Sequence, residues 1–133
     1  MPPTAEPHAP SYYAATAHPA PPRPALDGDT SADVCVIGAG YTGLSTALHL
    51  AKRGRSVVVL EANRVGWGAS GRNGGQLHSG QRRDQETLEK WFGATRARAL
   101  FDLAEEAKHT VKDLIATHAI DCDWRDGLIH AVH

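Results

Sequence analysis

The sequence has few of the features that mark exported, membrane-bound or nucleic-acid-binding proteins. No apolar run in its 133 residues approaches the roughly 20 residues that a membrane-spanning helix needs. The first residues have neither the basic nor the apolar stretch of a secretory signal. Fourteen basic side chains against 15 acidic ones give a net charge of −1, which provides no positive field for nucleic acid or an anionic surface. We therefore expect a cytoplasmic protein with no nucleic-acid partner and no membrane span.

Cysteine is also scarce. Cys35 and Cys122 are far apart in the chain, and each lies in a segment with an apolar pattern. This placement predicts two buried thiols rather than a disulfide or a metal-binding pair. The spacing of the eight histidines and two cysteines matches no metal site, so no metal is expected.

Proline and glycine divide the chain into regions. All eight prolines lie in the first 24 residues, whereas ten of the 13 glycines lie between Gly38 and Gly80. Residues 1–30 are therefore predicted to be a proline-rich leader arm, extended over 19–24 because proline fixes φ and lacks an N–H donor. The tyrosine pair in 11–13 leaves two possibilities open, a loose tail or an arm docked on a folded body.

The next region has the pattern of a βαβ unit. The continuous apolar run 33–37 is typical of a strand buried on both faces, and 56–60 is a second such run. Between them, 41–53 has the apolar stripe of a helix, with Gly54 placed to cap its end. Two strands joined by a helix are expected to be parallel, with a right-handed crossover.

A long loop and two helices are predicted to follow. Residues 62–83 contain six glycines and no periodicity, which is typical of a functional or a disordered loop. Asp84 is a candidate N-cap for a short helix that Gly93 closes. Residues 95–117, with Thr95 as the cap, have the spacing of a helix that packs in a core; a partner-binding helix is the lesser alternative.

The chain ends with the pattern of a β-hairpin. Apolar and charged residues alternate over 120–125, and the dipeptide Asp126-Gly127 favours a tight turn. Residues 128–132 would form the second strand.

The pattern with the clearest chemistry is the turn between the first strand and the helix. Its sequence is Gly38-Ala39-Gly40-Tyr41-Thr42-Gly43. Gly38 permits a tight turn, Gly40 lets a pyrophosphate approach the backbone, and Gly43 allows close packing of helix on strand. The helix start supplies free N–H groups, with Tyr41 and Thr42 as the expected donors.

Glu61, at the end of the second strand, completes a dinucleotide fingerprint. A carboxylate 18 residues after Gly43 is placed to accept hydrogen bonds from the ribose hydroxyls of an adenosine, and it disfavours a 2′-phosphate. The alternative is a structural turn with a surface glutamate. Strand, glycine turn, helix, strand and acidic residue agree, which favours the dinucleotide site.

The glycine-rich segment 66–76 bears on which dinucleotide binds. Its small residues would let the backbone lie against a flat or phosphorylated ligand, and Ser70, Arg72 and Asn73 offer donors. This composition favours a loop that wraps an extended cofactor, one that continues past the pyrophosphate, over a disordered surface loop.

Three segments of the chain resemble one family. They are DVCVIGAGYTGLS at 33–45, VLEA at 59–62 and GWGASGRNGGQ at 66–76. They are similar to the amino-terminal part of FAD-dependent amine and amino-acid oxidoreductases of the D-amino-acid oxidase superfamily. The leader at 11–13 and the third segment are most similar to gamma-glutamylputrescine oxidases. Ala39 stands where that subfamily often has glycine.

The resemblance implies a set of FAD contacts. They are Gly38, Gly40, Tyr41, Thr42 and Gly43 at the pyrophosphate, Glu61 and Ala62 at the adenosine, Ala69 and Ser70 at the phosphate or ribitol, and Gly74, Gly75 and Gln76 near the flavin ring.

The resemblance also implies the fold. We expect an α/β fold in which a Rossmann-like FAD-binding βαβ unit and helices occupy 31–118. The first strands of a substrate-domain β-sheet follow at 119–133. Family members have several hundred residues, so the fold is expected to be incomplete in this chain.

The chemistry implied is oxidation of the CH–NH bond of a small-molecule amine, with hydride transfer to FAD. No catalytic acid or base is assigned, because the cofactor supplies the chemistry. His78 could contact the flavin, but it is at least as well explained as a surface-loop residue. Two alternatives remain: a relative acting on a secondary amine or an amino acid, and a truncated fragment without catalysis. The particular amine, the electron acceptor and the oligomeric state are left open.

Overall fold

A computed structural model describes residues 7–127 of the chain. Helices and strands alternate in the first part, and two helices follow. The elements in chain order are α1 (Tyr12–Thr16), β1 (Val34–Ile37), α2 (Tyr41–Lys52), β2 (Val57–Leu60), α3 (Gln85–Phe92) and α4 (Ala94–Thr117), with a short 3-10 turn at Ala69–Gly71. The chain divides into two compact units between Gly75 and Gln76. The predicted domain boundaries after residues 30 and 118 stay predictions.

The two strands form a parallel pair, as the βαβ pattern predicts. Val34 lies opposite Val57 and Ile37 opposite Leu60. A reciprocal contact joins the residues just before the strands: the Asp33 N–H donates to Ser56 Oγ at 2.8 Å, and the Ser56 N–H donates to Asp33 Oδ2 at 2.9 Å. Hydrogen bonding of the carboxylate to the Ser56 backbone N–H, and then to the Ser56 side chain, lowers the pKa of Asp33. The reciprocal bonds hold the register of the strands at the end opposite the fingerprint turn.

Helix α2 begins at the predicted Tyr41 and ends before Gly54, the glycine that is predicted to cap it. Its N-cap is Gly40, which has no side chain to cap the first turn. At the other end Gly54 adopts φ +76, the Gly54 N–H donates to the Ala51 carbonyl at 2.9 Å, and the Arg55 N–H donates to the Leu50 carbonyl at 3.1 Å. This pair of bonds is a Schellman motif, which requires the left-handed residue that glycine provides.

The prediction that the strands are buried on both faces is wrong for β1. Helix α2 packs against both strands. Val34 and Val36 are half-buried, but Cys35 is exposed and Ile37 is 78% exposed. Side chains alternate along a strand, so a helix on one side covers every second residue. Burial of the other face would need a second layer, and the described residues form none over Ile37.

Helices α3 and α4 form the second unit. Asp84 is the N-cap of α3, as predicted: its Oδ1 accepts the Thr87 N–H at 2.8 Å and its Oδ2 accepts the Thr87 hydroxyl at 2.9 Å. These bonds lower the pKa of Asp84. Gly93 closes the helix at φ +79 and ψ 156, a conformation open essentially to glycine alone.

The predicted start of α4 at Thr95 is wrong. The helix begins at Ala94, because Gly93 ends α3 and is also the N-cap of α4. The Ala97 N–H donates to the Gly93 carbonyl at 3.0 Å, so the backbone itself closes the first turn. The two helices pack on each other, with Leu88 and Ala97 buried. The predicted core stripe of α4 is confirmed in part, because Leu100, Ala104 and Leu114 are half-buried whereas Ala107 and Val111 are exposed.

The segment after α4 does not form the first arm of a hairpin. No strand occurs in 118–127, the part of this segment that the structure describes. Instead the Lys112 ammonium lies 3.2 Å from Asp126 Oδ1 and 5.0 Å from the centre of the Trp124 ring. These contacts bring 124–126 back to α4. The predicted partner strand 128–132 lies outside the described residues.

Both cysteines that were expected to be buried are exposed and free. Cys35 is on the uncovered face of β1, and Cys122 lies in the irregular segment after α4. Both segments have an apolar pattern but lack a layer packed over the thiol.

The leader combines a short helix with a run that has no regular secondary structure. Residues 19–24 contain no helix or strand, as the prolines predict. Helix α1 was not predicted; the Ser11 hydroxyl caps it by accepting the Ala14 N–H at 3.2 Å. Within 7–127, none of the helices has the length and apolar character that crossing a bilayer requires.

Candidate functional site

The fingerprint turn leaves β1 through a left-handed glycine. Gly38 has φ +93, and its N–H donates to the Leu60 carbonyl of the neighbouring strand at 2.7 Å. A Cβ built on Gly38 would meet no atom within 4 Å. The turn therefore requires glycine for its backbone conformation and leaves open space beside it.

Gly43 brings α2 against the turn. A Cβ on Gly43 would overlap the carbonyl oxygen of Gly38 and lie 3.3 Å from Val36 Cγ1. Since a backbone carbonyl cannot move aside like a flexible side chain, this contact fixes the distance between helix and strand. The predicted role of the third glycine is present in the geometry.

The first turn of α2 presents backbone donors. Tyr41, Thr42 and Gly43 begin the helix, where N–H groups have no acceptor within the helix. The Tyr41 N–H donates to Ser70 Oγ at 3.0 Å. A Cβ on Gly40 would lie 2.9 Å from that same oxygen. The structure thus brings Gly40, Tyr41 and Ser70 together, although Ser70 is 29 residues away from Tyr41 in sequence.

The side chain of Glu61, which follows the end of β2, contacts the fingerprint turn. Its Oε2 accepts the Ala39 N–H at 2.7 Å, and its Oε1 accepts the Asn63 N–H at 3.0 Å. These two backbone bonds, that from Ala39 first, lower the pKa of Glu61. The side chain is therefore a carboxylate at neutral pH. A carboxylate has about four acceptor positions, so these two bonds do not use all of its capacity to accept hydroxyl groups of a ligand.

Ala39 is a residue whose role the sequence analysis missed. It is 2% exposed, its N–H donates to Glu61, and its carbonyl accepts the Gly66 N–H at 2.9 Å. It thereby connects the turn to β2 and to the following loop. Its small side chain between two fingerprint glycines was the available signal, because only a small residue can be enclosed there.

The loop 66–75 is ordered by its own side chains. Arg72 Nε donates to the Trp67 carbonyl at 2.9 Å, and the guanidinium lies 4.5 Å from the centre of the Trp67 ring. A Cβ on Gly71 would overlap the Gly66 carbonyl and lie 3.6 Å from His8 Nε2 of the leader. The structure therefore favours an ordered loop, with one leader residue beside it.

The other predicted contacts lie in or next to the loop 66–75. Ala62 is exposed directly after Glu61, and Ala69 is exposed at the start of the 3-10 turn. Gly74 and Gly75 are exposed at the end of the first unit, with Gly75 at φ +69. Gln76 is the first residue of the second unit.

The residues present fit FAD in the character of their donors and acceptors. Backbone N–H groups at a helix start suit a pyrophosphate, and an ionised carboxylate beside them suits ribose hydroxyls. The space beside Gly38 lets a ligand approach the backbone. Among residues 7–127, no three histidine, cysteine, aspartate or glutamate side chains group as ligands for a metal ion.

The donors and acceptors of this site agree with the protein family that the sequence matches. Residues 33–133 match the family described as FAD dependent oxidoreductase, abbreviated DAO. The chain belongs to this family, which confirms the resemblance.

Three named proteins are similar to this chain over most of its length. The chain is 50% identical over 120 residues to gamma-glutamylputrescine oxidoreductase of Escherichia coli strain K12, covering 90% of this chain and 28% of that protein. It is 44% identical over 123 residues to the probable oxidoreductase OrdL of Rhizobium meliloti strain 1021, covering 92% and 29%. For OrdL of Haemophilus influenzae the identity is 42% over 120 residues, covering 90% and 28%. The chain thus spans less than a third of these relatives. No solved structure matches it.

Proposed function

We propose that residues 33–75 form the nucleotide-binding part of a flavoprotein that oxidises the CH–NH bond of an amine resembling gamma-glutamylputrescine. The observation that carries the proposal is that Glu61 and Ser70 accept the backbone N–H groups of Ala39 and Tyr41, the two residues that flank Gly40 at the start of α2. The 50% identity to gamma-glutamylputrescine oxidoreductase supports this substrate class. The βαβ unit is proposed to be Rossmann-like, and a cytoplasmic location stays a prediction.

Each part of the site has a proposed task. The N–H groups of Thr42 and Gly43 bind the pyrophosphate, and the Tyr41 N–H joins them when a phosphate oxygen replaces Ser70 Oγ as its acceptor. The positive end of the helix dipole favours this placement. Gly38 and Gly40 leave room for its approach. The remaining proposed contacts are Glu61 and Ala62 at the adenosine, Ala69 and Ser70 at the phosphate or ribitol, and Gly74, Gly75 and Gln76 near the flavin ring.

When bound, FAD supplies the two-electron acceptor for the hydride that leaves the carbon bearing the amine. The residues of this chain bind and orient it. Glu61 would hold its ribose end through an acceptor that stays ionised, and the loop 66–75 contacts the proposed pyrophosphate donors through Ser70. We assign no proton transfer to any side chain of this chain.

The test is flavin retention by the 133-residue chain. Purified chain is mixed with FAD or FMN, passed through a desalting column and examined by visible absorption. We expect stoichiometric retention of FAD and none of FMN, because FMN lacks the adenosine that Glu61 would hold. Near-ultraviolet circular dichroism monitors tertiary packing. A packed chain that retains no FAD, or that retains FMN equally well, contradicts the proposal.

A further inference from the structure

The side chain of Asn73 is the centre of a hydrogen-bond network in the loop 66–75. Its amide nitrogen lies 3.0 Å from the Tyr41 hydroxyl, 3.2 Å from the Ala69 carbonyl and 3.0 Å from the Ser70 carbonyl. Its amide oxygen accepts the Gly75 N–H at 2.9 Å. An amide group has two N–H donors. Acceptors within the protein occupy both N–H groups of Asn73, so neither is available to a ligand.

The network fixes the orientation of the amide. Two carbonyls require the nitrogen on their side, and the Gly75 N–H requires the oxygen on the other. Exchanging the two atoms would set oxygen against oxygen and nitrogen against N–H. The bond to Gly75, two residues on, is an Asx turn, and it closes on a residue at φ +69.

The network also joins the loop to the start of α2. Tyr41 is the first residue of that helix, and the loop contacts its backbone N–H and its hydroxyl. Its N–H donates to Ser70 Oγ at 3.0 Å, while its hydroxyl accepts from Asn73 at 3.0 Å. At the other end of the loop, the Gly66 N–H donates to the Ala39 carbonyl. The loop is thus attached at two points to the turn that carries the proposed pyrophosphate donors.

We propose that Asn73 is a positioning residue, which holds the loop 66–75 against Tyr41 and so sets the position of Ser70 at the start of α2. It acts through these groups and does not contact the cofactor itself. The effect of Asn73 on FAD binding rests on the proposed function, whereas its effect on the loop does not. The network itself can be tested without a ligand.

The ligand-free test is amide hydrogen exchange on the 133-residue chain. Asn73→Ala removes every bond of the side chain without adding charge. We expect exchange across 66–75 to become at least about tenfold faster, and exchange across 44–52 of α2 to stay unchanged, because the loop opens locally while the helix remains. Unchanged exchange across 66–75 would overturn the network.

The ligand test is FAD affinity in a double-mutant cycle. We expect Asn73→Ala to weaken FAD binding about tenfold or more, and Tyr41→Phe, which removes the hydroxyl alone, to weaken it a few-fold. Since the hydroxyl acts through Asn73, the double variant is expected to bind like Asn73→Ala. Tyr12→Phe on exposed α1 is the matched control and is expected to bind like the parent chain.

Each outcome separates the two proposals. Equal FAD affinity in Asn73→Ala and the parent chain overturns the positioning role, and so do fully additive effects of the two substitutions. A parent chain that binds no FAD, but whose loop exchange responds to Asn73→Ala, contradicts the proposed function and leaves the network standing.

Discussion

At the scale of single residues, Glu61 combines two tasks that its carboxylate can perform together. It fixes the turn by accepting the N–H groups of Ala39 and Asn63. Its remaining lone pairs are available to the ribose hydroxyls of the proposed cofactor. The sequence predicts the second task from spacing alone. It does not predict the first, because the bond to Ala39 depends on how β1 and β2 pair.

Replacing Glu61 is expected to weaken FAD binding. Glu61→Ala removes an ionised acceptor, so we expect a loss of about 1–3 kcal/mol, the scale of a charged hydrogen bond. Isothermal titration with FAD measures the change. Glu86→Gln is the control, because Glu86 makes an exposed ion pair with Lys90 on α3. FAD affinity that is the same in Glu61→Ala and the parent chain would remove Glu61 from the site.

The same residue predicts the direction of a pH effect. Folding lowers the pKa of Glu61, so its contribution to stability is complete above the ordinary glutamate pKa of about 4.3. It is lost as the pH falls through the lower pKa of the folded state. In Glu61→Gln this part of the acid destabilisation is expected to be absent, which urea unfolding at a series of pH values measures.

At the scale of elements, the helices and strands follow from local patterns more closely than their burial does. The bounds of α2 were predictable because Gly40 and Gly54 stand at its ends, and Asp84 and Gly93 mark α3 in the same way. The start of α4 was not, because one glycine serves two helices. Burial of Cys35 was mispredicted because an apolar run does not reveal whether another layer covers it.

The contact between α2 and β1 gives a prediction in which two effects oppose each other. Gly43→Ala would favour the helix by roughly 0.5–1 kcal/mol through backbone entropy. Its Cβ would overlap the Gly38 carbonyl, however, and overpacking of this kind costs about 1–3 kcal/mol. We expect net destabilisation in urea unfolding, together with weaker FAD binding, because the helix start must move.

Gly68→Ala is the matched control for that substitution. Gly68 lies before the 3-10 turn at φ −74, and a Cβ there would meet no atom within 4 Å. We expect a stability change within about 0.5 kcal/mol. If Gly43→Ala were as stable as Gly68→Ala, the close approach of α2 to the turn would not be present in solution.

At the scale of the whole molecule, the described residues enclose little apolar surface. Between residues 7 and 127 the buried apolar side chains are Ala39, Leu88 and Ala97, all small except the leucine. The face of the sheet opposite α2 opens onto a cleft of about 410 Å³ lined in part by Cys35, Val58 and Leu60. The sequence predicted the strands but could not predict this exposure, since burial is a property of neighbours in space.

Adjacent residues of β1 test which face of the sheet carries the packing. Val36→Thr places a hydroxyl on the half-buried face beside Gly43, where we expect a loss of about 1–2 kcal/mol from a poorly bonded polar group. Ile37→Thr makes a similar change on the face that is 78% exposed, where we expect a change within about 0.5 kcal/mol and higher solubility. Urea unfolding of the 133-residue chain and light scattering measure both. Equal losses in the two variants would mean that both faces of β1 are covered in solution, for example by a second copy of the chain, in which case the loss in Ile37→Thr would depend on protein concentration.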